Sequence, residues 1–123
     1  HADDGVDRFI IGPQRGGLPA GVECIDVGAT ERRCCPRVVA QTLYKLGLNR
    51  ILIEGGAWTV SRFIEARAID RLHMLVAPVI LGSGKPGIDL PPIQSLDDAL
   101  RPPAAAYVLE EGEVVFDLDL KSA

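Results

Sequence analysis

The sequence predicts an α/β domain: a mostly parallel sheet flanked by helices, with a C-terminal antiparallel hairpin. Three observations carry this expectation. Apolar runs of strand length alternate with stretches of helical periodicity, Gly and Pro punctuate the joins, and two strand-like halves flank Glu111-Gly112 near the end.

Taken in order, Arg8 to Gly12 (RFIIG) is a short apolar run closed by Gly12-Pro13, the pattern of a buried strand. The stretch 13–21 (PQRGGLPAG) is dense in Gly and Pro and reads as a loop. Val22 to Val27 (VECIDV) alternates apolar and polar residues with the period of a strand. Pro36 suits the first turn of a helix, and Val39, Leu43 and Leu46 follow at i, i+4 and i+7. Gly47 is the natural stop, so the spacing predicts a helix over 36–47. Ile51 to Ile53 is apolar throughout, as expected of a strand covered on both faces. A second helix is predicted over 57–67, with Val60, Phe63 and Ile64 able to face the core. Residues 71–81 (RLHMLVAPVIL) read as another buried strand, stopped or bent at Pro78, and the terminal hairpin is expected over 105–120. The 123 residues suffice for one domain with one hydrophobic core.

Charge and composition narrow the function. The net charge is −4, and the thirteen basic residues are scattered, with Arg32-Arg33 the longest basic run. No electrostatic footprint for a phosphate backbone is present, which argues against nucleic acid as a partner. No apolar stretch approaches the roughly 20 residues that span a bilayer, and residues 1–10 lack the pattern of a secretory signal. The expected setting is therefore the cytoplasm, without a membrane. The three cysteines, Cys24, Cys34 and Cys35, fit that setting: their number is odd, two are adjacent, and no C-x-x-C pair exists. With His1 and His73 the only histidines, no metal site is expected.

The candidate site is Glu54-Gly55-Gly56, at the carboxyl end of a predicted strand and directly before a predicted helix. Ligands of open α/β sheets gather at such ends. Glycines let a backbone approach a ligand closely, and the helix starting near Ala57 offers free N–H groups and a positive dipole end to an anion such as a pyrophosphate. The alternative is a tight strand-to-helix turn that binds nothing. A second cluster, Gly82 to Gly87 (GSGKPG), has the letters of a dinucleotide fingerprint, but it runs into Pro86 and IDLPP rather than into a helix. It reads as a loop.

The stretch ILIEGGAWTVSRFIEARAIDRLHMLVAPVILGSGKP resembles the reductase domain of the bacterial riboflavin-biosynthesis deaminase–reductases and their stand-alone pyrimidine-reductase relatives. The resemblance rests on four elements in the family's order. They are Glu54-Gly55-Gly56, Asp70-Arg71-Leu72-His73, Ala77-Pro78-Val79 and Leu81-Gly82-Ser83-Gly84, with LPAGVECIDV upstream. It implies a dihydrofolate-reductase-like fold and hydride transfer from NADPH to an aminopyrimidine carrying a phosphoribosylamino group, whose ribose becomes ribityl. Carried over by position, Glu54 matches the carboxylate that contacts the substrate. Gly55 and Gly56, with Ala57, Trp58, Thr59, Val60, Ser61 and Arg62, match the turn and segment that wrap the cofactor phosphates. Family members commonly carry Pro and a small residue after Gly-Gly, where this chain has Ala57-Trp58. They are also longer at the amino-terminal side, so the chain is expected to be the C-terminal part of a reductase domain. An exposed sheet edge and the terminal hairpin lead to the expectation of a homodimer. The competing expectation is a non-catalytic assembly or binding module that kept the fold.

Overall fold

Residues 8–11 and 22–25 open the molecule as a parallel pair. In the computed structural model, which describes residues 6–13, 16–27 and 34–123, β1 (Arg8–Ile11) and β2 (Val22–Ile25) pair in register from Arg8↔Val22 to Ile11↔Ile25. The Gly12 amide extends the ladder by donating to the Ile25 carbonyl at 3.1 Å. The chain forms two compact units, His1–Ile51 and Leu52–Ala123. The expectations resting on His1–Gly5, on Gln14-Arg15 and on the basic pair Arg32-Arg33 lie outside the described residues.

Helix α1 (Pro36–Lys45) starts from Cys35 with Pro36 in its first turn, where the missing proline N–H costs nothing. It ends two residues before the expected limit. Gly47 takes φ 86° and its amide donates to the Tyr44 carbonyl at 2.9 Å, while the Leu48 amide reaches the Leu43 carbonyl at 3.1 Å. These two bonds are a Schellman closure, with glycine in the left-handed position it tolerates best.

The second unit begins with α2 (Ala57–Glu65), whose end repeats that closure with a less suitable residue. The Arg67 amide donates to the Ile64 carbonyl and the Ala68 amide to the Phe63 carbonyl, both at 2.9 Å. Arg67 therefore sits at φ 48°, in the left-handed region, instead of continuing the helix expected over 57–67. Ile64, 5% exposed, and Ser61, 4% exposed, are the buried side chains of α2. Beneath Ile64 a small cavity is lined by Ile69, Leu100 and Leu120.

A three-stranded antiparallel sheet completes this unit in the order β3-β5-β4, from β3 (Arg71–Val76), β4 (Ala104–Val108) and β5 (Val114–Asp119). The hairpin β4–β5 matches the expected terminal hairpin. Its loop closes with the Leu109 amide on the Glu113 carbonyl at 2.8 Å and the Gly112 amide on the Leu109 carbonyl at 3.0 Å. Gly112 at φ 88° supplies the left-handed residue of a three-residue loop. The register places Leu72, Met74, Val76, Val114, Phe116, Leu118, Ala104, Ala106 and Val108 on one wholly apolar face. On the other face Asp117 accepts from Arg71 Nε at 3.1 Å and lies 3.3 Å from His73 Nε2.

Three expectations are corrected. Parallel pairing is confined to β1–β2 among the described residues, so the sheet is not mostly parallel. The hairpin's second strand holds the centre of the larger sheet, and β3 lies antiparallel beside it as an exposed edge strand rather than a buried one. Ile51 to Ile53 is not a doubly covered strand. The segment 48–56 carries no regular secondary structure, with Ile51 42% and Leu52 79% exposed. None of the described ladders includes a strand to flank it.

The closures set one stability prediction. A side chain in the left-handed region costs about 1 kcal/mol or more, so Arg67→Gly should raise the unfolding free energy by about that amount, while Gly47→Ala and Gly112→Ala should lower it comparably. Urea denaturation of the three variants measures all three signs.

A second prediction concerns acid. The Asp119 carboxyl is held below its usual 3.8, first by the Ser122 hydroxyl and further by the amides of Lys121 and Ser122 and by the charge of Arg71, with desolvation opposing. A depressed carboxyl contributes stability above its unfolded value that is lost as pH falls through the folded one. Asp119→Asn should flatten the stability profile below about pH 4 and leave it unchanged in shape near neutrality, as followed by thermal melting against pH.

Candidate functional site

A segment without regular secondary structure leads through Glu54, exposed to solvent, into Gly55 and Gly56 and then α2. Gly55 is where the chain needs a glycine. A Cβ there would stand 2.9 Å from Thr59 Cβ and 3.0 Å from Thr59 Oγ1, closer than packed atoms approach. The Thr59 side chain therefore lies against bare backbone and fixes the angle at which the chain enters the helix.

Gly56 is different. It is the N-cap of α2 with φ −73° and ψ 174°, a conformation open to any residue. A Cβ on it would meet no protein atom within 4 Å. Its carbonyl accepts from the Thr59 amide at 3.0 Å and the Val60 amide at 3.3 Å, and no side chain caps the helix. The amides of Ala57 and Trp58 precede these first helical bonds, so they carry the positive end of the helix outward. Uncapped amides at the start of a helix are the kind of group that can hold an anion such as a phosphate.

The rest of the segment divides between two faces. Ser61 points inward: its buried hydroxyl accepts the Asp89 amide at 2.7 Å and ties the long connection after β3 to α2. Val60 and Thr59 are half-buried. Trp58 and Arg62 point outward, with the Arg62 guanidinium carbon 5.9 Å from the centre of the indole ring and Arg62 also paired with Glu65. The structure thus brings Gly55, Gly56, Ala57, Trp58 and Thr59 together around the helix start, and turns Ser61 away from it. Helical spacing foreshadows this, since Ala57, Ser61 and Ile64 fall at i, i+4 and i+7. The contact with Asp89, 28 residues away, has no signal in the sequence.

Two other features lie apart from this site. Gly82 to Gly87 forms an exposed loop that opens no helix. An open groove near the C-terminal end of α2 is lined by Ile64, Arg67, Leu90, Pro91, Ile93 and Leu100, and by none of residues 54–62. Among the described residues no group of His, Cys, Asp and Glu could hold a metal ion. The thiols of Cys24 and Cys34 approach the carbonyls of Pro13 and Ile11 at 3.8 Å and 3.5 Å, and all three cysteines are free. No helix among the described residues is long and apolar enough to cross a membrane.

A glycine turn feeding an uncapped helix is thus followed along the chain by an edge strand and a terminal hairpin. Residues 22–106 match the RibD C-terminal domain family, and the chain belongs to that family. Its fold is similar to the crystal structure of a protein assigned to riboflavin biosynthesis in Shewanella sp. PV-4, with a TM-score of 0.61 and 18% identity. The match covers 90% of this chain and 58% of that one, so the chain spans little more than half the length of that structure. No curated protein matches the chain.

The two glycines should respond unequally to a methyl group. Gly55→Ala forces Thr59 aside and should destabilise the fold by about 1–3 kcal/mol. Gly56→Ala should change stability by less than about 0.5 kcal/mol. Chemical denaturation of the pair decides whether the steric demand sits at Gly55.

Proposed function

We propose that this chain holds the cofactor phosphates in an NADPH-dependent reductase of riboflavin-biosynthesis type. Its reaction is hydride transfer to the ribosyl group of 5-amino-6-(5-phosphoribosylamino)uracil or a related pyrimidine. The observation that carries the reading is the uncapped start of α2, where no side chain bonds the first amides and a Cβ on Gly56 would meet no protein atom within 4 Å. Family membership supports the reductase class.

In this reading the two amides donate to the pyrophosphate, and the Thr59 hydroxyl lies beside them. Gly55 keeps the backbone close by giving its side-chain space to Thr59. The nicotinamide supplies the hydride when bound, and the protein contributes position and charge. Glu54, exposed one residue before the glycines, orients polar groups of the substrate as a hydrogen-bond acceptor. The three free cysteines accord with a cytoplasmic setting.

Assembly belongs to the same proposal. Strand β4 (AAAYV) is an exposed edge without charge, proline or bulge, the kind of edge that proteins ordinarily cover. A homodimer is the cover we favour, and a monomer mass by light scattering at high micromolar concentration would contradict it. The exposed Leu52 and this edge also favour a second reading, an assembly module that binds another chain without catalysis. Cofactor binding separates the two.

The decisive variants are Gly56→Val and Glu54→Gln. The conformation of Gly56 accepts a side chain and no protein atom obstructs one, so Gly56→Val should fold; its side chain would stand where the phosphate lies. Losing a charge-assisted hydrogen bond costs about 1.5–3 kcal/mol, so NADPH affinity should fall at least about tenfold. Glu54→Gln should leave NADPH affinity nearly unchanged and lower turnover by up to about 100-fold. Titration of NADPH fluorescence and its oxidation with the pyrimidine substrate measure both. Unchanged affinity in Gly56→Val would reduce the glycines to a turn.

A further inference from the structure

The cysteines take no part in the site at α2, yet two of their thiols meet over one short stretch at the end of β1. Cys24 stands opposite Ile10 in the parallel register, so these two side chains share a face of the ladder. Gly12 lies two residues beyond Ile10, still joined to the ladder through its amide on the Ile25 carbonyl, and it shares that face. The Cys34 sulfur lies on the same side. It stands 3.9 Å from the position a Cβ on Gly12 would take and 3.5 Å from the Ile11 carbonyl oxygen. The Cys24 sulfur leans toward this end of the strand, 3.8 Å from the Pro13 carbonyl oxygen. Both thiols are half-buried, and Gly12, itself buried, puts no side chain between them.

We propose that Cys24 and Cys34 are a redox pair, closing a reversible disulfide that ties β2 to the start of α1. Geometry sets the third cysteine aside. Consecutive Cα atoms stand about 3.8 Å apart, short of the roughly 4.4–6.8 Å that a disulfide usually spans, so Cys35 does not close onto Cys34. Cys35 is also the exposed one, at the N-cap of α1. The reaction is thiol–disulfide exchange with a small disulfide such as oxidised glutathione. The thiolate of one cysteine attacks a glutathione sulfur, breaks the glutathione S–S bond and expels one glutathione thiolate, leaving a mixed disulfide. The second cysteine, as its thiolate, attacks the protein-side sulfur and expels the other glutathione. The two thiol protons end on the two glutathiones, and the two electrons given up by the cysteines reduce the oxidant. The bridge closes the loop between residues 24 and 34, which restricts the unfolded chain. It also fastens β2, whose ladder among the described residues is with β1 alone.

Mass spectrometry of the 123-residue chain, equilibrated with mixtures of oxidised and reduced glutathione, tests the pair. The expected product is lighter by two hydrogen atoms, keeps one free thiol and fragments into a Cys24–Cys34 cross-link. Dithiothreitol should restore all three thiols. Cys35→Ser should form the same bond, whereas Cys24→Ser and Cys34→Ser should form no internal bond. Circular dichroism confirms that each variant folds, and the fragment map of the parent chain stands without them. The bridged form of Cys35→Ser should melt several degrees above its reduced form. A cross-link from Cys24 to Cys35 instead, or glutathione attached without any internal bond, would overturn the pairing. Equal melting temperatures of the bridged and reduced forms would overturn its role as a tie.

Discussion

The Thr59 side chain occupies the space in which residue 55 would carry its Cβ. This one contact constrains how the chain passes from the irregular segment before it into α2. With Gly55 bare, Thr59 packs back against the turn and the first helical bonds close on the Gly56 carbonyl. The amides of Ala57 and Trp58 precede those bonds and have no side-chain cap, beside a glycine on which a Cβ would meet no protein atom within 4 Å. Two adjacent glycines thus do unlike things. The first is required by the protein's own packing, and the second leaves space that the protein does not use.

That division separates stability from binding along one short segment. Ser61 and Ile64 anchor the inner face of α2, Ser61 through the Asp89 amide and Ile64 by burial. Glu54, Trp58 and Arg62 are left on the outside, where a ligand can reach them. Because the buried positions are few, the second unit leans on its antiparallel ladders and on its turn closures. Its left-handed positions matter accordingly: glycine fills those at Gly82 and Gly112, but Arg67 takes a third against its steric preference.

Much of this was legible in the sequence wherever the signal is local. Pro36 and Gly47 bracket α1 because proline lacks only an N–H that a helix start does not use, and glycine accepts the left-handed stop. Glu111-Gly112 marked the hairpin for the same conformational reason. The turn at Gly55-Gly56 was visible, but which glycine is demanded by sterics was not, since that depends on where Thr59 lies in space. The end of α2 was misplaced because its left-handed residue is Arg67, which carries no glycine signal. Nonlocal facts were beyond reach. An apolar run such as Ile51 to Ile53 shows that its side chains favour a cover, without showing whether a neighbouring strand exists to provide it. The direction of β3 depends on its pairing with β5, 38 to 48 residues away in register.

The claim at the centre is that the start of α2 is an anion cradle. Amide chemical shifts of the isotopically labelled protein, followed while pyrophosphate and then NADPH are added, test it at the atoms concerned. The expected result is saturable movement of the Gly56, Ala57 and Trp58 amides with both ligands, while the Asp89 amide, bound to Ser61, stays still. Saturable shifts elsewhere in the chain with these three amides unmoved would contradict it.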